Sequence, residues 1–102
     1  MFIAKVRGSV VTTQKILKMT GKKLLVVEPM RVDDKTGTIT PTGRSFVAVD
    51  QLGAGLDEMV LITQGSSARM TDFTNDAPVD CVIIGIIDSV TANQREIFKK
   101  DK

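Results

Sequence analysis

The sequence predicts an all-β domain, a small barrel or sandwich, and three observations carry that prediction. No segment keeps a helical apolar period over three turns; short apolar runs are separated by Gly and Pro; and the N-terminus alternates in strict period two. Short strands with turn signals between them are the pattern of barrels and sandwiches. At 102 residues, the chain has length for one core and not for two.

The first strand runs from Phe2 toward Thr13, with Phe2, Ala4, Val6, Gly8 and Val10 on one face and Lys5, Arg7 and Ser9 on the other. A half-buried strand has this alternation. Gly8 in its middle predicts a bulge or bend, the device that turns a barrel corner. After a turn at Thr20-Gly21, Leu24-Leu25-Val26-Val27 starts a second strand, which Pro29 confines to an edge or to a strand end. Turn residues crowd the stretch from Asp33 to Gly43, so it reads as a protruding hairpin with Thr38-Ile39-Thr40 briefly extended. Phe46 to Val49 and Met59 to Ile62 are two more strands, joined through Leu52-Gly53-Ala54-Gly55, and Val79 to Val90 is the most apolar strand of all. A short helix is placed around Ser66 to Met70. One domain spans residues 1–90, and residues 91–102, basic and sparsely apolar, are its solvated C-terminal tail.

Fourteen basic against twelve acidic residues leave a net charge of +2, which requires no polyanionic partner. Cys81 is the sole cysteine and histidine is absent, so an internal disulfide and a Cys/His metal cluster are both excluded. Catalysis loses its commonest general base. The opening Met1-Phe2-Ile3-Ala4-Lys5 has the wrong charge order for a secretory signal, and no run reaches membrane-spanning length. A reducing, cytosolic setting and no membrane partner are expected.

No chemical constellation survives inspection. Gly53-Ala54-Gly55 has the first two glycines of a dinucleotide fingerprint, but Glu58 holds the third position and no βαβ unit follows. Gly21-Lys22 lacks both the first glycine and the Ser/Thr of a phosphate loop. Ser66 and Ser67 have no histidine to activate them, while Asp80, Asp88 and Glu58 sit at strand ends, where acids are solvated or ion-paired. Cys81 reads as a small core residue. No catalytic residue, metal ligand or cofactor is therefore assigned. A cluster of Lys15, Lys18, Lys22 and Lys23 on a five-stranded barrel suggests the second reading, an OB-fold module binding single-stranded nucleic acid. Stacking platforms are scarce, since the only aromatics are Phe2, Phe46, Phe73 and Phe98, and the first two fall on inward faces.

Two features point to assembly. The stretch Gly65-Ser66-Ser67-Ala68-Arg69 is small and hydroxylated, which allows close approach of another backbone at a subunit junction or pore; a solvated turn with a helix cap explains it equally well. The strand Val82-Ile83-Ile84-Gly85-Ile86-Ile87 is apolar on both faces, with Val82, Ile84 and Ile86 pointing one way and Ile83 and Ile87 the other. A barrel has one inside. The outward set, taken here as Ile83 and Ile87, calls for cover by a loop, a short helix or another subunit, and the last is favoured because little chain is left to form a lid.

The ordered series from Met1 to Asp88 closely resembles the bacterial microcompartment vertex proteins of the EutN/CcmL family. It comprises the opening Met1 to Thr13, Gly21-Lys22-Lys23-Leu24-Leu25-Val26-Val27, Val47-Ala48-Val49-Asp50, Gly53-Ala54-Gly55, Glu58-Met59-Val60-Leu61, Gly65 to Arg69, Pro78-Val79-Asp80 and Ile83 to Asp88. One departure is Asp57, where the family pattern has glycine before the motif glutamate. The resemblance implies a five-stranded OB-like barrel without enzymatic activity, forming a homopentamer that caps the vertices of a polyhedral shell beside hexagonal tile proteins in the bacterial cytoplasm. It further implies that Glu58, Gly65, Ser66, Ser67, Ala68, Arg69, Ile83 and Ile87 lie at the subunit interface or pore, with Arg69 ion-paired to Glu58.

Overall fold

A computed structural model of the chain describes residues 1–13, 21–33, 35–65 and 80–100. Eight strands are found there and no α-helix: β1 (Phe2–Val10), β2 (Lys23–Asp33), β3 (Thr38–Pro41), β4 (Phe46–Asp50), β5 (Met59–Gln64), β6 (Cys81–Ile86), β7 (Ser89–Ala92) and β8 (Arg95–Lys99). The first sheet has the order β1-β5-β6-β4-β2-β3, and β1 also pairs with β2. That extra pairing closes β1, β5, β6, β4 and β2 into a five-stranded barrel. Its seam is the parallel β4–β6 contact, where Val49 pairs with Val82.

The alternation read from β1 is realised in space. Ala4 and Val6 are buried and join Leu25, Val27, Ala48, Ala54, Val60, Ile62, Cys81 and Ile83 in one core, with Phe2 and Phe46 packed against it. Their rings lie 6.1 Å apart, centre to centre, in a tilted pair. Between β1 and β2 the register shifts from Val6↔Val27 to Gly8↔Val26, so Arg7 is the extra residue of a bulge beside the glycine that predicted one. Both strands bend there, which lets β2 serve β1 and β4 at once.

Pro29 does not end its strand. The strand runs on to Asp33, because β4 stops pairing at Val27↔Phe46 and β3 starts at Met30↔Pro41, leaving the proline in the gap where no ladder donor is needed. Thr42 stitches this gap, donating from both its N–H (3.2 Å) and its hydroxyl (2.8 Å) to the Pro29 carbonyl. Beyond the gap, β2 and β3 form the protruding hairpin expected from the turn residues. Asp33 shapes its tip by accepting from the N–H groups of Lys35 (2.9 Å) and Thr36 (3.2 Å).

Two expectations are corrected at the C-terminal end. The apolar run from Val79 to Val90 is not one strand: β6 stops at Ile86 and β7 starts at Ser89. Nor are residues 91–99 a solvated tail, for β7 and β8 pair as an antiparallel hairpin across Asn93 and Gln94, whose φ angles of 52° and 62° make the left-handed two-residue turn. The short helix placed around Ser66 to Met70 lies outside the described residues.

The faces of β6 are corrected as well. Ladder pairs run Ile62↔Ile83 and then Leu61↔Gly85, so Ile84 is a bulge residue that switches the parity of the strand. Cys81 and Ile83 thus point inward with Ile86 packed against the same core, instead of Ile86 sharing a face with Val82 and Ile84.

Candidate subunit interface

The glycine-rich connection between β4 and β5 closes one end of the barrel. Asp50, buried at the end of β4, accepts from Leu52 N–H through Oδ1 and from Ala54 N–H through Oδ2, both at 2.9 Å. Ala54 is thereby held inside the core as a plug. Gly55 follows, and its N–H donates to Glu58 Oε1 at 2.6 Å; a Cβ on Gly55 would approach that oxygen to 3.3 Å. Asp57 adopts φ 67°, so the left-handed residue of this turn is an aspartate. Its N–H donates to the Val6 carbonyl (2.8 Å), and Val6 N–H returns to the Glu58 carbonyl (3.0 Å). The supposed nucleotide glycines are the turn that corks a barrel.

Glu58 stands at the opposite end of β5 from Gly65. It opens β5 and Gly65 follows the strand's last residue, so seven steps of extended chain, roughly 20 Å, separate them. Its second oxygen, Oε2, pairs with Lys100 Nζ at 2.5 Å, and the expected partner Arg69 lies outside the described residues. The Lys100 hydrogen bond, followed by that from Gly55, holds the Glu58 carboxyl below its ordinary range, and Glu58 raises Lys100 in turn. Arg7 joins a second network on the same side of the turn, with Nε 2.8 Å from Glu28 Oε1 and Nη1 3.7 Å from Asp57 Oδ1. Glu28 also accepts from Gly43 N–H (2.9 Å), and these two donors, Arg7 first, lower its pKa.

At the other end of β5, Gly65 adopts φ 69° and donates its N–H to the Asp80 carbonyl at 2.8 Å. This clasp brings together the departure and return of residues 66–79. Ser66, Ser67, Ala68 and Arg69 fall in that span, outside the described residues, as do Lys15 and Lys18 of the basic cluster. Of the two strand residues assigned to an interface, Ile83 is only 3% exposed within the barrel core, whereas Ile87 is half-buried and donates its N–H to the Met59 carbonyl (2.9 Å). The residue that β6 turns outward is Ile84, 38% exposed.

Sequence reasoning missed the other outward apolar side chains. Leu56 is 67% exposed on the cork, and Leu52 and Val47 are each half exposed. Leu56 overhangs a shallow groove of about 360 Å³ that Val6, Gly8, Leu25 and Ala54 also line. The readable signal was Leu52 and Leu56 flanking the glycines, two large apolar residues in a turn that needs none. Cys81 is buried as expected, and burial pushes its thiol up, aided by Asp80, so it is an inert core residue.

A closed OB-like barrel with its glycines spent on a cork, its acids spent on turns and its surplus apolar residues outside defines a structural assembly module. The family model described as "Ethanolamine utilisation protein EutN/carboxysome" matches residues 1–88, and the chain belongs to this EutN/CcmL family. The carboxysome shell vertex protein CcmL of Gloeobacter violaceus is 43% identical over 100 residues, covering 98% of this chain and 95% of that protein. PduN of Salmonella typhimurium, a microcompartment shell vertex protein, is 41% identical over 91 residues, covering 89% and 99%. Among solved structures, G. violaceus CcmL superposes with a TM-score of 0.87 at 41% identity, covering 98% of each chain. The pentameric microcompartment shell protein GrpN of Rhodospirillum rubrum gives 0.72 at 38% identity, covering 90% of this chain and 98% of its own. These relatives are shell proteins and not enzymes.

Proposed function

We propose that this chain is a vertex subunit of a bacterial microcompartment shell, closing as a ring of five and capping the points where flat facets of hexagonal tiles meet. The observation that carries the reading is the match to shell vertex proteins along nearly the whole chain, 98% of it at 43% identity for CcmL of G. violaceus. The outward apolar residues fit it physically. In a cyclic ring each subunit offers two different faces, so residues on opposite sides of one barrel are buried together. We assign Ile84, Ile87 and Leu56 to those faces, with Gly65, Ser66, Ser67, Ala68 and Arg69 at the junction or the axis. Glu58 serves the same interface indirectly, by fixing the cork that carries Leu56. The assembling barrel is followed by the β7–β8 hairpin as its appendage.

The experiment is native mass spectrometry of the purified chain. Five copies of an 11.1 kDa subunit give about 55 kDa. A monomer at micromolar concentration, or a ring of another order, overturns the proposal.

A further inference from the structure

The β7–β8 hairpin has a role that the ring does not explain. It begins one residue beyond the family match, which ends at 88, and among the described residues its strands form ladder pairs only with each other. An isolated two-stranded hairpin is marginal in water. Something must hold it, and two ties are visible. At the turn end, Arg95 Nη2 donates to the Lys35 carbonyl at 3.2 Å, on the tip of the β2–β3 hairpin. Gly37 leaves room for this contact: a Cβ there would lie 3.3 Å from Arg95 Nη1 and 3.6 Å from Ile97 Cγ2. At the base, Lys100 N–H donates to the Asp88 carbonyl (2.7 Å), and its ammonium meets Glu58, whose other oxygen holds Gly55 of the cork. A bulge at Ile97 leaves Ile97 and Phe98 both half-buried, and Phe98 lies in the hollow lined by Leu56, Asp57, Glu58 and Met59.

We propose that the β7–β8 hairpin is a two-point strap, tied by Arg95 to the tip of the β2–β3 hairpin and by Lys100 through Glu58 to the cork, so that releasing either tie frees the other. The reason is cooperative. Without one tie the hairpin is held only by the other tie and by the half-buried Ile97 and Phe98, so it frays and its remaining anchor is attached to a fraying segment. The strap therefore transmits the position of the cork to the tip of the β2–β3 hairpin, over the length of the five-residue strand β8.

Backbone hydrogen exchange on the full chain tests this with two variants of exposed side chains, Arg95→Ala and Lys100→Gln. Three amides report: Gly37, bonded to Asp33 O; Gly55, bonded to Glu58; and Lys100, bonded to Asp88 O. Lys100→Gln is expected to speed exchange at distant Gly37 by about two- to fivefold, and Arg95→Ala to do the same at Gly55 and Lys100. Exchange at Val60 and Ile62 in the core stays unchanged in both. The double variant should exchange no faster than the faster single one, since the strap is already free. Acceleration confined to each variant's own end, with additive effects in the double variant, overturns the proposal.

Discussion

Asp57 gives the sharpest test of how this turn is built. Its φ of 67° lies in the left-handed region, and its side chain is 66% exposed, so replacing it removes almost no packing. The contact with Arg7 is 3.7 Å long, and an exposed ion pair of that kind contributes little. Backbone strain therefore decides the outcome. Asp57→Val places a β-branched side chain in a conformation that costs an ordinary L-residue roughly 1–2 kcal/mol, with the branch adding to it. Asp57→Gly removes the strain but loosens the unfolded chain by a similar amount, roughly 0.5–1 kcal/mol, so it is expected to be nearly neutral. The order of stability should be Asp and Gly together, then Ala, then Val. In thermal melts at fixed subunit concentration, Val should lower the midpoint by about 4–8 °C per kcal/mol lost. If Gly destabilises as much as Val, the Arg7 contact and not the backbone holds the turn, and the argument fails.

Three further outcomes follow from the same structure. Ile62 is fully buried in the barrel, so Ile62→Ala should cost about 2–5 kcal/mol in urea unfolding, while Ile84→Ala should cost the isolated subunit well under half of that. Glu58 has its pKa lowered from 4.5 by Lys100 and Gly55, so its contribution is present above pH 4.5 and is lost as pH falls through the lower folded-state value. The charged group on it is Lys100, which Asp88 also influences, and Glu58→Gln should flatten the acid limb of the melting curve in part, because Glu28 and Asp33 shift in the same direction; an unchanged limb refutes the assignment. Ile84→Glu should leave circular dichroism intact and abolish the 55 kDa species in native mass spectrometry, and a surviving pentamer removes β6 from the interface.

Much of the barrel was legible because its signals are local. Alternation in β1, the glycine beside the Arg7 bulge and the turn residues around Asp33 each act within a few residues, and each appears where the sequence places it. What escaped was set by pairing across strands. Nothing in Val82-Ile83-Ile84-Gly85-Ile86-Ile87 says that Ile84 will be the extra residue, since the bulge is defined by the register of β5 opposite, and that one residue sends Ile83 inward. The C-terminal hairpin was missed for a different reason. Asn93-Gln94 lacks the glycine that usually marks a left-handed two-residue turn, and the alternation of Ser89-Val90-Thr91-Ala92 was outweighed by the charges after it.

Closure of the barrel also restricts how copies of this chain meet. Among the described residues each of the five barrel strands has a partner on both sides, with β4 and β6 meeting at the single pair Val49↔Val82, so little open edge is offered for strand addition, the commonest route by which β proteins associate without limit. The edges that remain are short. β3 is four residues long and ends in Pro41, and β7 is four residues long and opens on Ser89, a pattern that discourages further pairing. Association is then left to side chains on the barrel's outer surface, where Val47, Leu52, Leu56 and Ile84 supply the apolar area. Side-chain surfaces match only at particular angles, whereas a strand edge pairs with any other edge and repeats without end. A subunit that has to stop at a closed ring needs the first kind of contact, and a closed barrel supplies it.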